Sequence, residues 1–426
     1  MPSNRHHSSE TTSPDRPTQA VILAGGRGTR LAPLTNTRPK PMIPFHGKPF
    51  LEHLIEMVRD QGFSHVLLLL GYLPDVIRDY FGDGGNWGVS ITYSISDVDD
   101  ETGRRLKRAA PLIDPISLLL YCDNYWPMPF PAMWRQFSRT NAAAQITVYR
   151  NGDRYTKDNL RVDDKGFVVA YDKSRTMPGL AGVDIGFVLL KRSVVESLPD
   201  ENVSFERVVY QDLLAKRQLG GFVTNHRYYS VGSHERLPLT EAFLARHPTV
   251  LLDRDGVLNK RMPRARYVCS WSEWEWLPGS QQALCLLTEA GYRILVITNQ
   301  PGIARGALTN DTLESIHQGM KQDVRRAGGE ITAIYHCPHN WDEGCDCRKP
   351  RPGMLFQAQR DFHLDLTGTY FIGDDERDAQ AAQAAGCPWT LVTQERSLLD
   401  VTRDLLAGNL PREPMDLTPP GLREAA

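Results

Sequence analysis

The 426-residue sequence has no apolar run long enough to span a membrane; the longest, around Val66 to Leu70, is the size of a strand. It also lacks an excess of either charge. With 49 Lys and Arg against 51 Asp and Glu, no global field draws the chain to nucleic acid or to an anionic membrane. Cysteine is scarce: seven residues, an odd number, argue against a disulfide scaffold and for a reducing cytoplasm. Residues 1–18 are polar without the apolar core of a signal peptide, and 411–426 are polar and proline-rich; both are expected to be disordered tails. The remainder is long enough for two ordinary domains, each burying its own core.

The most informative stretch runs from Leu251 to Asn259. Val250, Leu251 and Leu252 read as a short buried strand, and Asp253 and Asp255 follow where a parallel strand ends in a loop. Two carboxylates at i and i+2 suit phosphoryl transfer. Asp253 can attack phosphorus, Asp255 can protonate the leaving oxygen and then activate water, and their mutual repulsion calls for magnesium. A second run, Ile294 to Ile297, ends in Thr298-Asn299, whose hydroxyl and amide can hold phosphate oxygens. A third, Tyr370 to Gly373, ends in Asp374-Asp375 with Asp378 one turn on. Asp374 is the expected third magnesium ligand, beside Asp253 and Asp255. Lys349 offers a compact positive charge for the phosphate. These stations, over residues 249–400, resemble the haloacid dehalogenase superfamily of phosphatases.

Cys337, His339, Cys345 and Cys347 fall within eleven positions and match a closed, structural zinc site, with C-x-H and C-x-C arms bringing ligands in pairs. The loop runs straight into Arg348-Lys349-Pro350, so zinc would stiffen the segment that presents those cations. Together with the run from Thr298-Asn299 to Arg305-Gly306, this narrows the resemblance to the D,D-heptose 1,7-bisphosphate phosphatases, with histidinol-phosphate phosphatases as relatives. The resemblance implies Asp253 as nucleophile, Asp255 as general acid, Lys349 as catalytic cation, and phosphate or substrate contacts from Thr298, Asn299, Arg305 and Arg348. Asp375 departs from it, since the heptose enzymes usually carry a substrate-touching lysine there. Residues 260–277, rich in Arg, Trp and Glu, are expected to face substrate, with Trp271, Trp274 and Trp276 shielding the core and Arg264 and Arg266 as anchors for a distal phosphate.

Nearer the start, the apolar run Gln19 to Leu23 feeds into Gly25-Gly26-Arg27-Gly28-Thr29-Arg30. Backbone N–H groups there can approach phosphates, and Arg27 and Arg30 add charge. Lys40, in a proline-braced loop, can meet the same triphosphate, and Asp123, ending the strand Leu118 to Tyr121, is placed to hold magnesium. Cys122 reads as a small core residue. This set resembles the sugar-1-phosphate nucleotidylyltransferases over residues 19–246, and the resemblance implies that Lys173 contacts the sugar phosphate.

Two departures stand out. Glu101-Thr102-Gly103-Arg104-Arg105-Leu106 replaces a segment rich in glycine and alanine, and Ser230 stands where a second metal-binding aspartate is usual. The expected protein is therefore α/β, with two mainly parallel sheets flanked by helices: a Rossmann-like nucleotidyltransferase domain at 19–246 and a phosphatase domain at 249–410. Its substrates are a sugar phosphate and a nucleoside triphosphate, guanosine triphosphate being favoured by the pathway the two resemblances imply. Two alternatives stay open: a non-catalytic first domain, and histidinol phosphate as substrate.

Overall fold

A computed structural model describes residues 16–411. Residues 1–15 and 412–426, which hold most of the two expected tails, lie outside the described residues. The fold begins earlier than expected. Thr18 already accepts backbone hydrogen bonds from Ser64 and His65, so 16–18 belong to the first unit rather than to a tail. The chain divides into two compact units between Leu237 and Pro238. The helix Leu237–Leu244, expected to close the first domain, therefore falls almost wholly in the second unit.

In the first unit the apolar runs form seven strands: β1 (Gln19–Ala24), β2 (His65–Leu70), β3 (Ser90–Ile95), β4 (Ile116–Tyr121), β5 (Ala144–Tyr149), β6 (Val183–Lys191) and β7 (Leu219–Thr224). They lie in the order β7-β5-β6-β4-β1-β2-β3. Every pairing is parallel except the two made by β6, which runs antiparallel to β4 and β5. β1 and β4 are both buried and carry almost uninterrupted aliphatic side chains, as parallel strands covered on both faces must. Chain order reverses between β1 and β4. A crevice therefore opens at their carboxyl ends, where Gly25 follows β1 and Asp123 follows β4.

The second unit repeats the plan with five strands, all parallel: β8 (Thr249–Leu252), β9 (Arg293–Asn299), β10 (Ala333–Cys337), β11 (Tyr370–Gly373) and β12 (Trp389–Leu391), ordered β10-β9-β8-β11-β12. Its core is split between the two faces of the sheet. Val250, Leu252, Val296 and Ile372 point to one side, Leu251, Leu295, Ile297 and Phe371 to the other. The reversal lies between β8 and β11, and it gathers the three strand ends that carry Asp253, Asp374 and Thr298. Trp271, Trp274 and Trp276 pack on the core as expected, with Trp271 stacked on Trp274 at 5.4 Å. No helix among the described residues is long and apolar enough to cross a membrane.

Candidate active sites

At the end of β8, Lys349 is buried with all three ammonium protons engaged. Nζ lies 2.7 Å from Asp253 Oδ1 and 2.7 Å from Asp378 Oδ1, and donates to the Ile297 carbonyl at 2.8 Å. The lysine is held there by Asn299. Its amide oxygen accepts from Lys349 N at 3.0 Å, and one amide proton goes to Lys349 O at 3.1 Å. Asn299 thus positions the lysine. Asp378 is placed by a helix start. Asp375 caps the helix Glu376–Ala385, and Asp378, its third residue, completes the capping box by accepting from Asp375 N and also from Asp374 N.

The carboxylates of Asp253, Asp374 and Asp378 offer oxygens within 4.8 Å of one another. The expected trio contained Asp255 where this cluster has Asp378. The Asp255 carboxylate is taken up by Arg254 at 2.9 Å, Asn259 Nδ2 at 3.0 Å and Gln300 Nε2 at 2.9 Å. Burial pushes the pKa of Asp253 up to about 7, reinforced by the neighbouring Asp378 and Asp374 charges and opposed by Lys349. Asp374 is raised to about 6, mainly by burial, with Arg261 opposing. Burial pushes Asp255 up as well, but the Arg254 guanidinium and the three hydrogen-bond partners outweigh it and keep this carboxyl below its usual range. Arg254 is itself buried, with Nη1 3.3 Å from His317 Nε2.

The three-carboxylate cluster opens into a cavity of about 290 Å³ whose lining includes Thr298, Arg305, Arg348, Arg264, Arg266 and Tyr267. Arg305 is braced by Tyr267 OH at 2.8 Å and Asn340 Oδ1 at 3.0 Å, and Arg348 by the His339 carbonyl at 3.2 Å. Gly256 sits at φ +99°, and a Cβ there would run into the Asp374 carboxylate, so the turn after Asp255 needs glycine. Beside this cavity Cys337, His339, Cys345 and Cys347 converge. His339 Nδ1 lies 3.3 Å from Cys347 Sγ and 3.6 Å from Cys337 Sγ, and Cys337 Sγ lies 3.7 Å from Cys345 Sγ.

In the first unit, a cavity of about 330 Å³ at the β1/β4 ends is lined by Gly25, Gly26, Gly28, Lys40 and Asp123. Lys40 Nζ lies 2.8 Å from Asp123 Oδ2. Burial pushes the Asp123 pKa up, but Lys40 and then Arg30 outweigh it, and the carboxyl stays below its usual range. Gly28 takes φ +66° against the Lys40 side chain. Arg27, Thr29, Arg30 and Lys173 do not line this cavity. Arg27 pairs with Asp99 at the surface, and Lys173 reaches Glu206 at 3.4 Å. Ser230 stands beside Asn124 in a two-residue antiparallel pairing, and Val231 N donates to the Asp123 carbonyl at 2.9 Å. Arg105 was not anticipated: it lines the cavity while donating to Leu70 O, Ser96 Oγ and Val98 O, so close to Gly25 that a Cβ there would lie 2.5 Å from its guanidinium. Cys122 is buried, and burial pushes its thiol up to about 12, as suits a core residue.

The two parts of the chain match different known proteins. A nucleotidyl transferase family model matches residues 19–158, and a model described as "HAD-hyrolase-like" matches residues 346–417. A crystal structure of D,D-heptose 1.7-bisphosphate phosphatase from B. bronchiseptica, complexed with magnesium and phosphate, matches with 38% identity and a TM-score of 0.36, covering 38% of this chain and 99% of that one. HddC from Yersinia pseudotuberculosis matches with 28% identity and a TM-score of 0.45, covering 51% and 96%. D-glycero-beta-D-manno-heptose-1,7-bisphosphate 7-phosphatase from Pseudomonas aeruginosa is 40% identical over 161 residues, 38% of this chain and 89% of its own; that from Bordetella bronchiseptica is 46% identical over 145 residues, 34% and 80%. With this identity and coverage, the chain belongs to the D-glycero-beta-D-manno-heptose-1,7-bisphosphate 7-phosphatase family.

Proposed function

We propose that the chain is a bifunctional enzyme of nucleotide-sugar synthesis: the second unit hydrolyses one phosphate of D-glycero-D-manno-heptose 1,7-bisphosphate, and the first transfers a nucleoside monophosphate, most favourably guanylyl, to the heptose 1-phosphate with release of pyrophosphate. The observation that carries the phosphatase reading is the Asp253-Lys349-Asp378 arrangement at the mouth of an arginine-lined cavity.

The Asp253 carboxylate attacks phosphorus and forms an aspartyl phosphate, while Lys349 neutralises charge beside the attacking oxygen. Asp255, ionised among Arg254, Asn259 and Gln300, is suited to activating the water that cleaves the intermediate. An incoming phosphate dianion raises its pKa, which lets it donate a proton to the leaving oxygen in the first step. Thr298, Arg305 and Arg348 orient the phosphate from the cavity wall.

Asp253, Asp374 and Asp378 suit magnesium: their oxygens converge, and Asp374 Oδ1 is buried without a hydrogen-bond partner. A magnesium ion held there would supply charge neutralisation to the phosphoryl oxygens. The sulfur and imidazole spacings in the cysteine loop suit a tetrahedral zinc, whose ligands at ~2.3 Å stand roughly 3.8 Å apart. A zinc held there would be structural, stiffening the loop that runs into Arg348 and Lys349, while Asn299 fixes Lys349 from the other side.

The transferase needs no general base, because a sugar 1-phosphate oxygen is already anionic; Lys40 neutralises charge while the Gly25-Gly26 loop approaches the triphosphate, and Asp123 would hold a magnesium ion that supplies further charge neutralisation. Ser230 leaves Asp123 without a second carboxylate, which weakens metal affinity without removing the chemistry. The reading is tested by following phosphate and pyrophosphate separately from heptose 1,7-bisphosphate with each nucleoside triphosphate.

A further inference from the structure

The phosphatase cavity has more positive charge than one phosphate can use. Eight Arg and Lys side chains line it against five carboxylates, and a magnesium ion with one phosphate dianion leaves that excess of three unchanged. Two of the arginines are organised by one carboxylate, that of Asp375. Asp375 binds Arg261 Nη2 at 2.8 Å with one oxygen, and takes Arg377 Nε at 2.8 Å and Nη2 at 3.0 Å across both. Arg261 also reaches Asp374 Oδ2 at 3.0 Å with Nη1. Each guanidinium has five N–H donors, so both keep unspent donors at the cavity wall, and both side chains remain nearly half exposed. Arg264 and Arg266 share the wall, but their side chains have no partner among the described residues to hold them in place.

We propose that Arg261 and Arg377, clamped together on Asp375, form a second anion subsite that takes the non-reacting phosphate of a sugar bisphosphate. The clamp rests on the bisphosphate reading of the same cavity. Two guanidiniums fixed side by side present parallel N–H groups to phosphate oxygens, and the aspartate beneath them lowers the cost of ordering them before substrate arrives. Asp375 is then a positioning residue, and the two arginines are the groups that touch substrate.

The test uses the full chain and its Arg261→Gln, Arg377→Gln and doubly substituted forms, with heptose 1,7-bisphosphate and p-nitrophenyl phosphate as substrates. Arg377→Gln is expected to raise KM for the bisphosphate about tenfold and to affect p-nitrophenyl phosphate hydrolysis far less, since a charge-assisted contact is lost from the distal phosphate; Arg261→Gln, which also frees Asp374, is expected to slow both substrates and to raise KM for the bisphosphate about tenfold beyond its effect on p-nitrophenyl phosphate. Equal losses on both substrates, or no loss on either, would overturn the subsite. Should the wild type hydrolyse p-nitrophenyl phosphate but not the heptose, the heptose reading fails and the subsite is judged separately. Fructose 1,6-bisphosphate should then inhibit p-nitrophenyl phosphate hydrolysis more tightly than fructose 6-phosphate, with the advantage gone in the double variant. An advantage that survives the double variant, or is missing from the wild type, contradicts the clamp.

Discussion

Lys349 Nζ is as close to Asp378 as to Asp253, 2.7 Å in each case, so one buried ammonium ties the proposed nucleophile to the first turn of a helix that begins 123 positions later in the chain. Removing the Asp378 charge should loosen both. Asp378→Asn leaves the ammonium short of one carboxylate and the capping box weakened, so phosphate release should fall by about a hundredfold. Unfolding free energy should drop by roughly 3 kcal/mol, the scale for breaking a buried pair. Denaturant titration and phosphate assay on one preparation check this, and wild-type values for both would remove Asp378 from the site.

Gly256→Ala places a methyl group against the Asp374 carboxylate at a φ that L-residues avoid. A loss of about 1–3 kcal/mol in stability is expected, with phosphatase activity falling further than stability alone explains. Activity measured well below the variant's melting temperature separates the two effects.

His317 gives the second unit an acid sensitivity. Burial, and then the neighbouring Arg254 and His336 charges, lower its pKa to about 3. The unfolded chain takes up this proton near pH 6.5 while the folded one does not. Its contribution to stability is therefore complete above pH 6.5 and is lost as the pH falls towards 3. Between pH 7 and pH 5 the loss is about 2 kcal/mol, and His317→Gln should flatten that part of the profile. An unchanged slope in the variant would assign the sensitivity elsewhere.

For the cysteine loop, about one zinc should copurify per chain, and Cys345→Ser should lower metal content, stability and phosphatase activity together. Zinc-free protein from a chelator-free preparation, fully active, would contradict the structural metal.

Strand-end placement was readable in the sequence because buried parallel strands are apolar runs and the residue after each run is forced to the sheet's edge; Asp253, Asp374 and Asp123 follow β8, β11 and β4, and Thr298 lies near the end of β9. Asp378 was harder to place, since its role depends on being the third residue of a capped helix, a fact of local geometry rather than residue type. The sequence also could not show that Arg254, Asn259 and Gln300 converge on Asp255, or that Arg261 crosses from a loop to Asp374 and Asp375, because those contacts exist only once the loop after β8 closes over the sheet. Arg105 was hidden for a related reason. Its partners are Leu70 at the end of β2 and Ser96 and Val98 in the loop after β3.

The transferase is where residue type and function part most sharply. Ser230→Asp should lower the magnesium concentration needed for pyrophosphate release by about tenfold, and Asp123→Ala should abolish that release while phosphatase activity persists. A magnesium requirement that Ser230→Asp leaves unchanged would remove position 230 from the metal site.

The central claim, two successive reactions on one chain, is tested most directly by supplying heptose 1,7-bisphosphate, magnesium and guanosine triphosphate to the wild type and to Asp253→Asn. The wild type should release phosphate first and pyrophosphate after it. The variant should release neither, yet give pyrophosphate when heptose 1-phosphate is supplied in place of the bisphosphate. Phosphate without pyrophosphate from any nucleoside triphosphate, at high magnesium and with heptose 1-phosphate added, would contradict the claim and leave a phosphatase carrying a silent nucleotidyltransferase fold.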